Sequence, residues 1–278
     1  MLLSARQHAN EPTSTQAALV WLEHVLHHGG LSKRANLIVH PLENPDGARL
    51  HAALCSLAPN HMHHAARYTA FGADLQTDPR VGGDVIDESL MRHDAAERWH
   101  PVLHLNDHGY PAHAWLRAHS GFMPRGFEDW SLPIGHLTIL STHGPDEAAA
   151  AALREALIVD VEAALVADVF VREHTWAQAQ RSVRYRPVAN TPFDFRSGLP
   201  FWSNHRPRSP IESTPGGGDE DGAPARALLL PLPTLITEVP DETVSGEAWQ
   251  ACVRTHIAVN EAVTRRFLTW WRDAEDTS

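Results

Sequence analysis

The sequence predicts an α/β protein in which strands and helices alternate along 278 residues. Short apolar runs at residues 35–39, 102–105 and 228–237 have the length of buried strands, and longer stretches between them carry apolar residues at helical spacing. A hydrophobic fraction of 43% and a charged fraction of 21% are ordinary for a globular protein, and the length suffices for one large core. We therefore expect a single domain over residues 1–278, and we find no internal repeat.

In the first half, residues 1–5 form a short apolar stretch, and residues 14–28 carry apolar positions at helical spacing until two glycines end the run. Residues 37–40 are the next predicted strand. Residues 45–94 show little periodicity and many His, Asp, Gly and Pro, which predicts a long loop region with short helices. Long loops in compact domains are usually functional or mobile. Residues 102–106 are predicted to form another strand.

The second half begins with residues 146–170, whose Ala, Leu and Val content predicts one long helix. Residues 181–221 are rich in Pro, Ser, Arg and Gly, and we expect a flexible loop at residues 206–226. Residues 228–237 return to strand character, and residues 246–271 form an amphipathic helix. The alternation of both element types supports the α/β class.

The formal net charge of −11 argues against nucleic acid as a partner, because binding phosphates requires a basic surface. No apolar stretch reaches the length of a membrane span, and the N-terminus lacks the pattern of a signal peptide. We therefore expect a cytoplasmic protein with no membrane partner. The sequence leaves the oligomeric state open. Cys55 and Cys252 could form one bridge, but buried thiols are the expected state.

His8 and Glu11 form a His-x-x-Glu pattern directly after the first apolar stretch. An imidazole and a carboxylate three residues apart at a strand end can both point at one ion. Catalytic zinc sites commonly use two His and one Glu and leave one position for water. A four-residue pattern alone is weak, since such patterns occur by chance.

Three further segments follow His-x-x-Glu in a fixed order: residues 44–47 (Asn-Pro-Asp-Gly), residues 107–111 (Asp-His-Gly-Tyr-Pro) and residues 235–238 (Leu-Ile-Thr-Glu). Together these pieces resemble the zinc carboxypeptidase family, the funnelins. The resemblance implies a mixed central β-sheet flanked by helices. It also implies that residues 44–47 mark a loop beside the site.

The resemblance further implies a Zn²⁺ ion held by His8, Glu11 and His108, with Glu238 as the catalytic carboxylate. From the residues themselves, Glu238 is expected at the C-terminal end of a strand, where open α/β sheets place their ligands. The alternative is an exposed Glu at the start of a turn over residues 240–242. His104 and His113 compete with His108 for the third ligand position. We expect His104 to share a face with His108 only if the segment is helical.

Substrate recognition departs from the family, whose Gly-x-Asp-x-Asn-Arg pattern grips a C-terminal carboxylate. Gln76 and Thr77 replace the Asn-Arg pair here. Arg67 could act as an oxyanion or carboxylate clamp, and Arg49 is a second option. Tyr110 and Gln76 are further candidate substrate-binding residues. The loss of the Asn-Arg pair affects strict exopeptidase activity more than zinc binding.

The sequence thus predicts a zinc metallopeptidase acting on a peptide. The alternatives are a zinc-dependent deacylase acting on acyl-amino acids, a catalytically inactive metal-binding relative, and a His-rich surface that buffers metal. The family has about two strands and a helix before His-x-x-Glu, whereas seven residues precede His8. We therefore expect an N-terminal edge of the fold to be missing or lost.

Overall fold

The computed structural model describes residues 1–28, 36–75, 80–81, 84–85, 87–112, 134–185, 193–206 and 232–275. Its main sheet has seven strands: β1 (Leu2–Ala5), β2 (Ile38–His40), β5 (His104–Pro111), β6 (Leu137–His143), β7 (Asp194–Arg196), β8 (Leu199–Arg206) and β9 (Thr234–Glu242). Their order across the sheet is β2-β1-β5-β9-β6-β8-β7. A separate two-stranded sheet consists of β3 (Arg80–Val81) and β4 (Asp84–Val85).

Six helices are found among the described residues: α1 (Thr13–His28), α2 (Pro45–Leu57), α3 (Asp87–Trp99), α4 (Glu147–Ala167), α5 (Val169–Tyr185) and α6 (Gly246–Glu275). A short 3-10 helix spans His64–Arg67. The sheet is mixed, because β1, β2, β5 and β9 run parallel while β6 pairs antiparallel to β9. This architecture confirms the predicted α/β class.

The main apolar core lies on one face of the sheet. It joins β-strand residues such as Leu3, Leu105 and Leu235 to helix residues such as Trp21 and Val259. Helix α6 contacts both α1 and α4 on this side. A smaller apolar cluster, which includes Leu2 and Ile38, lies apart from it. Since side chains of a strand alternate between faces, β1 contributes Leu3 to the main core and Leu2 to this smaller cluster.

The central strands are longer than predicted, and this changes where the site residues lie. Strand β5 continues to Pro111, so His108 lies inside it rather than after it. Strand β9 continues to Glu242, so Glu238 lies four residues before the end of its strand rather than at that end, and the alternative of an exposed Glu at the start of a turn over residues 240–242 is wrong. Pairing between β5 and β9 extends both strands through residues of low intrinsic strand propensity.

The region predicted to be mostly loop contains two 13-residue helices, α2 and α3. Residues 44–47 do not form a loop; they begin α2. Pro45 occupies the first turn of that helix, and the Asn44 side chain accepts a hydrogen bond from the Gly47 N–H. Both features are typical of helix starts.

The predicted long helix over residues 146–170 is confirmed over Glu147–Ala167, but it ends there and a second helix begins at Val169. Asp168 separates them, since its carboxylate accepts hydrogen bonds from the N–H groups of Phe170 and Val171 and so caps α5. Part of the predicted irregular segment forms β7 and β8, joined by Ser197 and Gly198, both with positive φ. Such two-residue turns suit hairpins.

The flexible loop predicted at residues 206–226 falls almost wholly outside the described residues, and helix α6 extends four residues beyond its predicted end. Cys55 and Cys252 are both free thiols, and Cys252 is buried. Among the described residues, no helix combines the length and the apolar character needed to cross a membrane.

Candidate metal centre

The turn between β1 and α1 carries His8 and Glu11, and β5 carries His108. These two segments meet because β1 and β5 are adjacent parallel strands in register from Leu2–His104 to Ala5–Asp107. Parallel strands bring their carboxyl ends to the same edge of the sheet. Residues about 100 positions apart in the chain therefore converge at this edge.

Three side chains form a small triangle at the centre. His8 Nδ1 lies 2.8 Å from Glu11 Oε1, His108 Nδ1 lies 3.1 Å from Glu11 Oε2, and the two Nδ1 atoms are 3.2 Å apart. All three residues are buried. Within the described part of the chain, this is the only group of His, Cys, Asp or Glu residues whose ligand atoms gather closely enough to hold a metal ion.

The donor set fits zinc. Tetrahedral zinc with bonds near 2.0–2.1 Å places its N and O ligands about 3.3 Å from one another, close to the observed separations. If both Nδ1 atoms carried protons, the two N–H groups would face each other. A cation at the centre of the triangle would instead accept a lone pair from each of the three side chains, His8, Glu11 and His108. The observed donors and spacings therefore suit a divalent metal.

The electrostatics of the three groups agree with this arrangement. Burial alone would raise the pKa of Glu11, but the positive charge of His8 and the hydrogen bonds from both histidines lower it. Burial alone would lower the pKa of His8, yet the Glu11 carboxylate and the Asp74 hydrogen bond outweigh it and raise that pKa. Burial lowers the pKa of His108, which favours the neutral imidazole that binds metals.

His8 is held from behind by Asp74, whose Oδ1 lies 3.3 Å from His8 Nε2. A carboxylate on the outer nitrogen of a ligand histidine fixes its tautomer and orientation. Our sequence reasoning missed this role of Asp74, although the Gly-x-Asp pattern at residues 72–74 was the available signal. The outer nitrogen of His108, Nε2, is buried without a hydrogen-bond partner among the described residues.

Arg67 ends the 3-10 helix and points at the centre. Its Nε donates to Asp74 Oδ2 at 2.9 Å, and its Nη1 lies 3.6 Å from Glu11 Oε1. Burial alone would lower its pKa, but the Glu11 and Asp74 carboxylates raise it and keep the guanidinium charged. Asn44 Nδ2 donates to the Arg67 carbonyl at 3.2 Å, so the 44–47 segment supports this arginine.

Glu238 lies directly opposite His108 in the β5–β9 register. Registered residues of neighbouring strands share a face of the sheet, so its side chain lies on the same side as His108. Burial raises its pKa well above the ordinary value, and the negative charge of Glu11 adds to this effect. A bound cation would relieve this repulsion between carboxylates.

His104 and His113 were the competing third ligands. The expectation that His104 shares a face with His108 only in a helix is wrong, because residues four apart on a strand also share a face. His104 is nevertheless about 13 Å farther along β5, at roughly 3.3 Å per residue. It bonds Ser4 Oγ at 2.7 Å instead. His113 lies outside the described residues.

The candidate substrate-binding residues are not brought together. The Tyr110 hydroxyl donates to the Gly135 carbonyl at 2.5 Å and accepts from the Ile134 N–H at 3.0 Å, which is a structural role. Arg49 is exposed on α2 and lines an open cleft of about 410 Å³ with Tyr68 among its walls. Gln76 lies outside the described residues. A substrate contact by these three residues stays a prediction.

No protein-family profile and no curated protein sequence matches this chain. Solved structures do. A Shewanella amazonensis protein provisionally assigned as a metallopeptidase is 17% identical, with 95% of this chain and 75% of that chain covered and a TM-score of 0.45. Carboxypeptidase A from Helicoverpa armigera is 14% identical, with 95% of this chain and 61% of that chain covered and a TM-score of 0.43. A succinylglutamate desuccinylase from Silicibacter is 11% identical, with 93% of this chain and 55% of that chain covered and a TM-score of 0.39.

The matched structures thus include metallopeptidases and carboxypeptidases, the class that the sequence motifs resemble, together with a desuccinylase. These partial similarities do not assign a reaction to this chain. The function proposed below rests on the metal centre itself.

Proposed function

We propose that this protein is a zinc-dependent hydrolase of peptide or related amide bonds. The observation that carries the proposal is the triangle of His8, Glu11 and His108: these three buried side chains lie within hydrogen-bonding distance of one another, each histidine through Nδ1 and Glu11 through both carboxylate oxygens. When bound, zinc lowers the pKa of water and polarises a carbonyl group, which is the chemistry that amide hydrolysis requires.

Glu238 is the proposed general base. It shares a face of the sheet with His108 and lies next to that ligand in the register. From this position its carboxylate would take a proton from the attacking water and deliver it to the leaving amine. Its raised pKa in the metal-free protein would fall when a cation neutralises Glu11, leaving the carboxylate able to accept that proton.

Arg67 is the proposed electrostatic clamp. Its guanidinium faces the ligand Glu11, and its Nε contact with Asp74 fixes its orientation. A charged group held beforehand in a buried site stabilises negative charge that develops on the substrate oxygen. Arg67 therefore needs no movement of its own to stabilise the transition state.

A deacylase acting on acyl-amino acids is the second candidate. It is favoured by one specific feature: Gln76 and Thr77 stand where a carboxypeptidase would have the Asn-Arg pair that grips a C-terminal carboxylate. An enzyme that does not need a free C-terminal carboxylate would not need this pair.

The test is the metal content of the purified protein, together with hydrolysis of a mixed panel of peptides and acyl-amino acids with and without a chelator. We expect one tightly bound zinc per chain and cleavage that stops with the chelator and returns with zinc. The products separate a peptidase from a deacylase. Absence of zinc would overturn the proposal, and zinc without hydrolysis of any substrate would indicate a metal-binding protein without this activity.

A further inference from the structure

Two consecutive acids, Asp241 and Glu242, end strand β9, and both are buried. Burying carboxylates is costly unless hydrogen bonds compensate for the lost water. The compensating hydrogen bonds come from the segment that carries His8 and Glu11. Neither acid belongs to the triangle of metal ligands.

Asp241 binds the start of helix α1. Its Oδ2 accepts hydrogen bonds from the Thr13 N–H at 2.9 Å and from the Thr13 hydroxyl at 2.7 Å. The first N–H groups of a helix have no partner within the helix, and a side-chain oxygen can accept a hydrogen bond from them. Thr13 follows Glu11 by two residues, so Asp241 fixes the end of the turn that presents this ligand.

Glu242 binds the middle of the same turn. Its Oε1 accepts a hydrogen bond from Asn10 Nδ2 at 2.7 Å, and Asn10 is itself buried. Asn10 lies between His8 and Glu11 in the sequence. The two acids thus hold the turn at two points separated by three residues.

Asp241 also touches the strand that carries His108. A Cβ atom on Gly109 would overlap the Asp241 carboxylate, so only glycine fits beside it. The Gly109 N–H, in turn, donates to Glu11 Oε2 at 3.0 Å. The end of β9 therefore contacts both segments that supply the metal ligands.

We infer that Asp241 and Glu242 are positioning residues that fix the metal ligands relative to the general base. Glu238 lies on the same strand three and four residues earlier, so one rigid element carries the base and holds the ligand turn. This inference rests on the proposed function. Partners of metal ligands commonly change metal affinity or activity 10- to 100-fold when they are removed.

The test uses the full-length zinc protein and three variants. Glu242→Leu removes the acceptor, Asn10→Ala removes the donor, and Glu242→Gln keeps an oxygen that can accept from Asn10. We expect the first two to release zinc to a chelator about tenfold faster and to lower kcat more than they raise KM. Glu242→Gln should stay within about threefold of wild type, since it preserves the hydrogen bond.

A double variant, Asn10→Ala with Glu242→Leu, should lose no more than either single variant, because both remove one interaction. Thr13→Val tests Asp241 without deleting its carboxylate, and should release zinc about three- to tenfold faster. Its matched control is Thr255→Val, which removes a buried hydroxyl bonded to the Ala251 carbonyl within α6. This control should leave zinc release and kcat unchanged.

Lower thermal stability of the zinc-free variants with unchanged zinc release and unchanged kcat would overturn the inference, since it would show a purely structural role. This outcome differs from failure of the proposed function, which would appear in the wild-type protein as absence of zinc or of hydrolysis. Misfolding of Glu242→Leu would still leave two variants to decide the question, Asn10→Ala and the nearly isosteric Thr13→Val.

Discussion

Two neighbouring pairs of residues on β5 and β9 direct their side chains to opposite faces of the sheet. His108 and Glu238 are one registered pair and face the metal centre. Asp107 and Thr237 are the preceding pair and face helix α6. Because side chains alternate along a strand, a shift of one residue moves a polar group from the candidate site to the interior behind the sheet.

On the α6 side, Thr237 is a hydrogen-bond donor and Asp107 is its acceptor. Asp107 accepts hydrogen bonds from the Thr237 hydroxyl at 3.0 Å and from Asn260 Nδ2 at 2.9 Å, and His256 Nδ1 lies 2.6 Å from the same hydroxyl. Burial raises the pKa of Asp107 to about 7. Donors and acceptors pair in each of these contacts, and only the outer atoms His256 Nε2 and Asn260 Oδ1 lack a partner among the described residues, whereas the triangle on the other side directs three potential ligand side chains at one point.

The comparison teaches that burial and polarity do not by themselves identify a site. Both clusters are buried, and both contain a histidine and a carboxylate. The difference lies in whether donors and acceptors match each other. Buried polar groups that satisfy one another stabilise the fold, and convergent acceptors require a cation or protons between them.

The largest expected effect comes from removing a ligand. His108→Ala should lose the bound zinc and reduce hydrolysis on the order of a thousandfold, because the metal supplies several kcal/mol of transition-state stabilisation. Metal content and steady-state kinetics measure both quantities. A variant that retains one zinc and full activity would show that His108 is not a ligand.

The second largest effect is expected from replacing Glu238, the proposed general base, which lies on the same face as the ligands. Glu238→Gln should retain one zinc per chain and lower kcat by roughly 10²- to 10⁴-fold, since the amide cannot accept the proton. The chelator-exchange rate is the control for an intact metal centre. An unchanged kcat with zinc retained would contradict the role of Glu238 as general base.

On the α6 side, Asn260→Ala should destabilise the protein without removing zinc. It deprives the buried Asp107 of a hydrogen-bond donor, which should lower the free energy of unfolding by about 2 kcal/mol. Urea denaturation measures this change. The control is Thr269→Ala on the exposed side of α6, expected within about 0.5 kcal/mol of wild type. Loss of zinc in Asn260→Ala would mean that the two faces are not independent.

The smallest expected effect is a pH dependence of stability. Burial lowers the pKa of His136 from 6.5 to about 3, so the unfolded chain binds a proton that the folded chain excludes. The stability that His136 contributes is complete above pH 6.5 and is lost as the pH falls, by about 1.4 kcal/mol per pH unit.

The stability advantage of wild type over His136→Gln should therefore shrink by about 1.6 kcal/mol between pH 6.5 and pH 5. Urea denaturation of the metal-free proteins at both pH values measures it. A difference that does not vary with pH would show that His136 is protonated in the folded protein.

The sequence by itself determined the α/β class, the order of the motifs and the candidate ligands His8, Glu11 and His108. The class and the His-x-x-Glu pair follow from local signals, namely apolar periodicity, residue type and short spacing, whereas His108 as third ligand follows from the resemblance to the zinc carboxypeptidase family. The sequence did not predict the break at Asp168 or the hairpin of β7 and β8, where composition outweighed weak turn signals. It also misplaced the ends of β5 and β9, because strand length depends on pairing with distant neighbours.

Only the tertiary structure decided which polar residues face each other. Asp74 behind His8, and Asp241 and Glu242 beside the ligand turn, lie 66 to 232 residues from their partners, a separation that no local pattern encodes. The same holds for Asp107, which precedes His108 in the sequence but binds Asn260 on α6. The alternation of side chains across a paired sheet is the physical reason, since it assigns adjacent residues to opposite environments.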